Sequence, residues 1–152
     1  MTVEADVVTH LATLVAELAL DENLFTGPER PATDADQQHI PGAVPDKAVF
    51  CLGTGGFTDQ PQMGGSTDLG GDLTTWPAIQ KPTVQLWVRS DRDDYDGGKA
   101  LVDEIFRQLN QNPPTNYFNS RPVGSQAAWV KKDDLSRDNW TINLELMRKN
   151  NP

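Results

Sequence analysis

The sequence has a single cysteine and no long apolar run, and both absences narrow the classes of protein that fit. One thiol, Cys51, excludes an internal disulfide framework and a zinc site built from cysteines. A membrane helix needs about 20 consecutive apolar residues, and no segment approaches that length. The N-terminus also lacks the basic start, apolar middle and small-residue cleavage site of a signal peptide. We therefore expect neither a disulfide-stabilised secreted domain nor a membrane protein.

Basic residues are scarce in the first third of the chain. Residues 1–46 hold nine acids and one base, Arg30, which gives a net charge of −8. Residues 81–152 hold ten acids and eleven bases, a net +1, and the whole chain carries −9 at pH 7. A net negative charge repels phosphate backbones, and the adjacent Lys131 and Lys132 are followed at once by Asp133 and Asp134. We expect no general binding to nucleic acid.

The length of 152 residues fits one domain, which we take to span 1–152. Apolar residues make up only 37% of the chain, and 12 glycines and 11 prolines interrupt it. This composition predicts a modest core with much loop. The longest such segment is the glycine-rich stretch at about 53–82, which we predict to be a long connection.

Two segments have the apolar spacing of amphipathic helices. Residues 3–20 place apolar side chains at intervals of three and four, with Thr2 positioned to cap the first turn. Residues 94–110 do the same, and Pro113 and Pro114 follow that helix. Both segments should bury one face against a sheet.

The strand signals lie between and after these helices. Residues 23–26 and 47–52 predict short strands, and residues 83–89 alternate clearly between apolar and polar side chains. Residues 126–132 and 140–149 predict two more strands joined by a polar turn. We therefore predict an α+β fold, a mostly antiparallel sheet with two helices packed on one face.

An acidic cluster precedes the second helix and is the first candidate metal site. It contains Asp91, Asp93, Asp94 and Asp96. A calcium loop starting at Asp93 would have Tyr95 and Gly97 where oxygen ligands are needed, so the spacing fails. Acids at a helix N-terminus also favour the helix dipole, and we prefer that interpretation.

The remaining candidates for chemistry are few. Gly53-Thr54-Gly55-Gly56 matches neither the phosphate-loop nor the dinucleotide-binding spacing. Neither His10 nor His39 has a nucleophile or an acid at a recognisable catalytic spacing. Cys51 lies inside an apolar strand and fits a buried residue better than a nucleophile. We predict no catalytic residue, no cofactor and no metal site.

Four tryptophans stand out in a chain with a thin core, namely Trp76, Trp87, Trp129 and Trp140. Trp140 shares the apolar face of its strand and is assigned to the core. Trp87 lies on the polar face of its strand. Two interpretations of Trp87 stay open: packing under a loop or helix, and an anchor in a protein interface.

The stretch TVQLWVRSDRDDYDGGKALVDEIFRQLNQ, at residues 83–111, resembles a known family. A strand ending in Val-Arg, an Asp-rich link with Asp-Tyr-Asp and an amphipathic helix are similar to the phage tail terminator and minor capsid protein family. The last strand, WTINLELMRKN, is similar to the final strand of that family. The resemblance covers residues 83–149 and, loosely, the first helix, whereas residues 22–81 match nothing in it.

The resemblance implies a tail completion protein, located in the virion tail or neck and in the host cytoplasm during assembly. Such proteins form a hexameric ring on the last disc of the tail tube, stop its growth and join it to the head. The implied partners are the chain itself, the tail tube protein and a head connector, with DNA only passing through the lumen. No membrane and no enzymatic activity are implied.

The strand pattern, taken with this resemblance, gives candidate interface residues. They are Trp87 and Arg89, the loop 53–82, and the turn 133–139 with Asp133 and Asp134. Three alternatives stay open: a neck protein on the head side, a small-ligand-binding enzyme domain, and an interaction domain outside any virus.

Overall fold

The computed structural model describes residues 2–30, 44–58 and 79–149. The described chain contains two helices and six strands. In chain order these are α1 (Val3–Leu14), β1 (Leu24–Thr26), β2 (Ala48–Thr58), β3 (Ile79–Arg92), α2 (Tyr95–Leu109), β4 (Asn119–Pro122), β5 (Ala128–Lys132) and β6 (Arg137–Lys149).

All six strands belong to one sheet in the order β1-β2-β3-β6-β4. β1 pairs with β2 in parallel, and every other pairing is antiparallel. β4 pairs with residues 144–147 of β6 and β5 with residues 138–141, so the two short strands follow one another along the same edge of β6. The predicted α+β class, with two helices on one face of a mostly antiparallel sheet, is confirmed.

The core lies between the helices and one face of the sheet. Val84, Leu86 and Val88 of β3 point into it, as the alternation of that strand predicts. The same core contains the apolar stripes of α1 and α2 and the inward side chains of β6: Val7, Val8, Leu11, Leu101, Val102, Ile105, Leu109, Trp140, Ile142, Leu144 and Leu146. Trp140 is fully buried, so its assignment to the core is confirmed.

A glycine sets the closeness of α2 to the sheet. A Cβ added at Gly98 would lie 2.5 Å from the Ser90 Cβ and 2.6 Å from the Trp140 ring. Since both neighbours are buried and fixed, any larger side chain would push the helix away from β3 and β6.

Both helix starts follow the sequence. The Ala5 N–H donates to the Thr2 hydroxyl at 3.2 Å, and the Gly97 N–H donates to the Asp94 carboxylate at 3.0 Å. Asp94 is therefore a helix cap, which supports the structural interpretation of the acidic cluster.

Helix α1 ends six residues earlier than the apolar spacing predicts. The cause is the side chain of Asn23, which accepts from the Ala19 N–H at 2.8 Å and donates to the Glu17 carbonyl at 2.7 Å. These bonds hold residues 17–19 in a non-helical loop, because side-chain amides compete with the helix for backbone groups. Val15 and Leu18 remain buried, and this explains why the apolar spacing continues past the helix.

The predicted connection at 53–82 is wrong at both ends. Residues 53–58 continue β2 and residues 79–82 begin β3, while residues 59–78 lie outside the described chain. A bulge at Gly53 and Gly55, the latter with φ +101°, breaks the alternation that marks a strand in sequence. Strand β4 was not predicted, because its four residues NSRP contain no β-branched, leucine or aromatic side chain.

Candidate functional site

The face of the sheet opposite the two helices, called the second face below, carries Trp87 and Arg89, two of the predicted interface residues. A small apolar cluster covers this face near β1 and contains Phe25, Val44, Ala48 and Phe50. Trp87 packs against that cluster and is half-buried, with its indole N–H donating to the Asn139 side-chain oxygen at 2.8 Å. Trp87 is thus held within the fold by packing and by a hydrogen bond.

Arg89 is fully buried, which corrects its prediction as an exposed contact residue. Its Nε donates to the Asp46 carbonyl at 2.7 Å and one terminal nitrogen donates to the Pro45 carbonyl at 2.8 Å. The other terminal nitrogen bonds the Arg30 carbonyl and the Glu29 carboxylate, and the guanidinium lies 5.2 Å from the Phe50 ring centre. All these donors tie two chain segments to β3, so Arg89 has a structural role.

Arg89 belongs to a group of alternating charges that we call the Arg89 cluster. It consists of three guanidinium groups and three carboxylates: Arg89, Arg92, Arg137, Glu29, Asp46 and Asp133. Asp46 bridges two of the arginines, at 2.9 Å from Arg92 and 3.2 Å from Arg137. Burial, and next the neighbouring charge of Arg137, lower the pKa of Arg89, while Glu29 opposes that shift.

The two predicted aspartates of the turn differ from each other. Asp133 is largely buried and receives the Arg137 side chain at 2.9 Å and the backbone N–H groups of Leu135 and Arg137 at 3.0 Å. Burial alone would raise the pKa of Asp133, but these hydrogen bonds and the Arg137 charge outweigh it and hold the pKa below its usual value. Asp134 is exposed, so only this member of the pair is available to a partner.

An exposed strand that sequence reasoning did not select lies beside this turn. All five residues of β5 are exposed, with Trp129 at 53% and Val130 at 41%. Among the described strands, β5 pairs only with β6, and its outer edge carries no further strand. We call Trp129, Val130, Lys131 and Lys132 the β5 edge. The run AWVKK gave no signal of this exposure, because an apolar run without alternation also fits a strand that is buried on both faces.

The exposed apolar side chains are concentrated in the part of the chain that contains β4 and β5, the two strands along one edge of β6. Of the eight large apolar side chains exposed in the described chain, five lie between residues 118 and 135: Phe118, Val123, Trp129, Val130 and Leu135. Concentration of exposed apolar area along one sheet edge is typical of a surface that contacts another protein.

The opposite edge of the sheet has different chemistry. Leu20 forms a bridge beside Leu24 of β1 and is 42% exposed. The Asp21 N–H donates to the Leu24 carbonyl at 3.0 Å, which fixes this loop against β1. The side chains of Asp21 and Glu22 are exposed. We call Leu20, Asp21 and Glu22 the Leu20 edge.

The described side chains and backbone groups that were candidates for catalysis or phosphate binding make contacts within the fold. His10 donates from Nε2 to the Asn112 carbonyl at 2.9 Å, and His39 lies outside the described residues, as does Trp76. Cys51 is buried, and burial followed by the charge of Glu4 raises its thiol pKa to about 12. The Gly53 N–H donates to the Glu4 carboxylate at 3.1 Å, so this glycine does not present a donor to a phosphate.

The second face also has an open groove of about 460 Å³ between β3, β6 and β4. Thr83, Asn119 and Met147 line it. Arg121 and Glu145 also line it, and their side chains form an ion pair at 2.7 Å. Within residues 2–30, 44–58 and 79–149, no three His, Cys, Asp or Glu side chains are placed to hold a metal ion. None of the described helices is long and apolar enough to cross a membrane.

No family model matches the sequence, and no curated protein matches it significantly.

Proposed function

We propose that this chain is a structural subunit that forms a ring on the end of a phage tail tube. The resemblance to tail terminators implies that the ring has six subunits. The ring stops tube growth and presents a surface for joining the head. The class of protein comes from the resemblance of residues 83–149 to tail terminators. The described surfaces supply independent support for an assembly role.

The observation that carries the proposal is the exposed apolar β5 edge. Its strand is uncovered on both faces, and the nearby side chains Val123 and Leu135 extend the apolar area. A monomer that must stay soluble usually blunts such an edge with charge or covers it with other chain. Lys131 and Lys132 supply charge at one end only, so Trp129 and Val130 are left for a protein partner.

A ring needs two different surfaces on each subunit. Contacts around a rotation axis are heterologous, so the surface offered by one subunit must differ from the surface that it meets on the next. The apolar and basic β5 edge and the acidic Leu20 edge lie at opposite ends of the same sheet. This arrangement suits a subunit that repeats around an axis.

The use of polar groups also favours a structural role over a catalytic one. The most buried charges, in the Arg89 cluster, fasten residues 29–30 and 44–46 to the sheet. His10 and Cys51 are engaged in packing or backbone contacts. These interactions stabilise a rigid body whose function lies in its outer surfaces.

The proposed ring would stop tube growth through the contacts that it makes and the contacts that it lacks. A tube grows because each ring presents the next with a matching face. A terminator copies the face that meets the tube and lacks the face that would accept another tube ring. The remaining outer face is free for the head connector, and DNA passes through the lumen without binding.

The test is the mass of the full chain by light scattering over a concentration series, with negative-stain images of the largest species. We expect a sixfold mass and a ring with a central hole. The mass must be unchanged by reductant, because the single Cys51 is buried and forms no disulfide. A compact dimer at every concentration, or a monomer at every concentration, would contradict the proposal.

A further inference from the structure

We propose that the β5 edge of one subunit binds the Leu20 edge of the next copy of the same chain, head to tail. This inference rests on the proposed function in one respect, since a ring is what requires two different edges. It adds the surfaces, the residues and the direction of the contact. The partner is therefore a second copy of this chain.

The β5 edge offers apolar area flanked by positive charge. Trp129 and Val130 are exposed, and the indole N–H of Trp129 is held by Asp138 at 3.1 Å, which fixes the ring in position. Within the described chain Lys131 makes no ion pair. Lys132 lies 3.6 Å from Asp93, a contact between two exposed side chains that water and salt weaken. Both ammonium groups are available to an acidic partner.

The Leu20 edge offers the complement. Leu20 is an exposed aliphatic side chain beside β1, and Asp21 and Glu22 follow it with exposed carboxylates. Neither carboxylate has an ion-pair partner among the described residues. The loop is nevertheless rigid, because Asn23 bonds two backbone groups within it and Asp21 bonds Leu24. A preformed loop loses little entropy when it binds.

The two edges fit each other better than either fits itself. Pairing β5 with a second β5 would oppose Lys131 and Lys132 to their own copies, and pairing two Leu20 edges would oppose carboxylates. Pairing unlike edges sets two lysines against two acids and Trp129 and Val130 against Leu20. Two acids beside the β5 edge, the exposed Asp134 and the buried Asp138 opposite Lys132, have no ion pair among the described residues, and they limit the attraction.

The first experiment exchanges the charges of the two edges. One variant carries Lys131→Glu and Lys132→Glu, and a second carries Asp21→Lys and Glu22→Lys. Each alone places like charges in every head-to-tail contact, so we expect the apparent dissociation constant to rise about tenfold or more at low salt. Mixed in equal amounts, the two variants have complementary edges and should recover the wild-type mass as an alternating ring.

A matched control reverses two charges elsewhere. Lys99→Glu with Arg107→Glu makes the same change in net charge as the Lys131→Glu and Lys132→Glu variant, on the side of α2 that faces away from the core. Both bases pair with acids of α2 at exposed positions, so circular dichroism checks that this control remains folded. This variant should assemble like the wild type. Equal weakening by the control, or failure of the mixture to recover, would overturn the proposed contact.

The second experiment traps the contact covalently. A chain with both Leu20→Cys and Val130→Cys is oxidised and separated under non-reducing conditions. Head-to-tail contact gives a ladder of dimers, trimers and higher species, whereas a chain with only one of the two substitutions goes no further than a dimer. Cys51 does not interfere, because it is buried and its thiol pKa is raised to about 12. Absence of a ladder would overturn the contact.

The two proposals fail in different ways. Rings in the wild type, with no ladder and no effect of charge reversal, would overturn this contact and leave the proposed function standing. A ladder without rings in the wild type would support the contact and contradict the ring. The ladder also reports closure, because a ring of six ends it at six subunits and an open filament does not.

Discussion

The Arg89 cluster and the β5 edge lie next to each other and use their side chains in opposite ways. In the cluster every charged group is paired with an opposite charge, and Arg89 and Arg137 are buried. On the β5 edge, which Asp133 directly follows, apolar side chains are exposed and unpaired. Buried charges hold two chain segments in place, whereas exposed apolar groups add little to the fold and are free to bind. The contrast separates residues kept for folding from residues kept for assembly.

The largest expected effect is on stability, when the buried Arg89 side chain is removed. Arg89→Ala leaves the Glu29 carboxylate and three backbone carbonyls without their donor, and it should lower the free energy of unfolding by about 3–5 kcal/mol. Urea unfolding followed by tryptophan fluorescence measures this loss. Arg92→Ala is the control, because its side chain is 56% exposed and shares only Asp46, so it should cost less than about 1 kcal/mol. Similar losses in both variants would contradict the central role of Arg89.

A substitution at Gly98 tests how rigidly α2 packs on the sheet that carries the β5 edge and the Leu20 edge. Gly98→Ala puts a methyl group into contact with Ser90 and the Trp140 ring, and it should lower the free energy of unfolding by about 1–3 kcal/mol despite the better helix propensity of alanine. Thermal unfolding by circular dichroism measures the change. Lys99→Ala, at the next position on the exposed face, should be nearly neutral. A stabilised Gly98→Ala variant would mean that α2 can move away from the sheet without cost.

Asp133 links the two regions and gives the cluster a pH dependence. Its pKa is lowered in the folded state, so its contribution is present at neutral pH and is lost as the pH falls below about 4. Asp133→Asn should cost about 1–2 kcal/mol at pH 7 and should flatten the acid limb of the stability profile. Denaturant unfolding between pH 2 and 7 provides the measurement. Asp134→Asn, an exposed neighbour, should leave the profile as it is, and equal profiles for the two variants would contradict the assignment.

Sequence patterns predicted the regular parts of this fold and missed what depends on contacts between distant segments. The alternation of residues 83–89 and the stripe of α2 record burial against one core, so β3 and α2 were readable. Arg89 also falls on the polar face of that alternation, and nothing local indicates that residues 29–30 and 44–46 fold over it. The end of α1 depends on one side chain, Asn23, and no periodicity records that bond.

The candidate surfaces show the same limit. Asp134 was selected correctly as an exposed residue, while Asp133 is engaged by Arg137 across a turn whose hydrogen bonds are not visible in sequence. The β5 edge was predicted as an ordinary strand. Its exposure follows from sheet order, because β5 lies at the end of the strand pairing. Sheet order is set by long-range pairing, which local composition does not encode.

The same valine-to-serine substitution at two positions compares an exposed strand position with a buried one. Val130→Ser on the β5 edge should lower the free energy of unfolding by less than about 1 kcal/mol, because the side chain is already 41% exposed. Val88→Ser in β3 makes the same chemical change at a fully buried position and should cost about 2–4 kcal/mol. Assembly should show the reverse order: Val130→Ser weakens self-association of a chain that remains folded, measured as mass by light scattering. If Val130→Ser destabilises the monomer as much as Val88→Ser, then the β5 edge is part of the fold, and the apolar surface proposed for assembly has to be sought elsewhere.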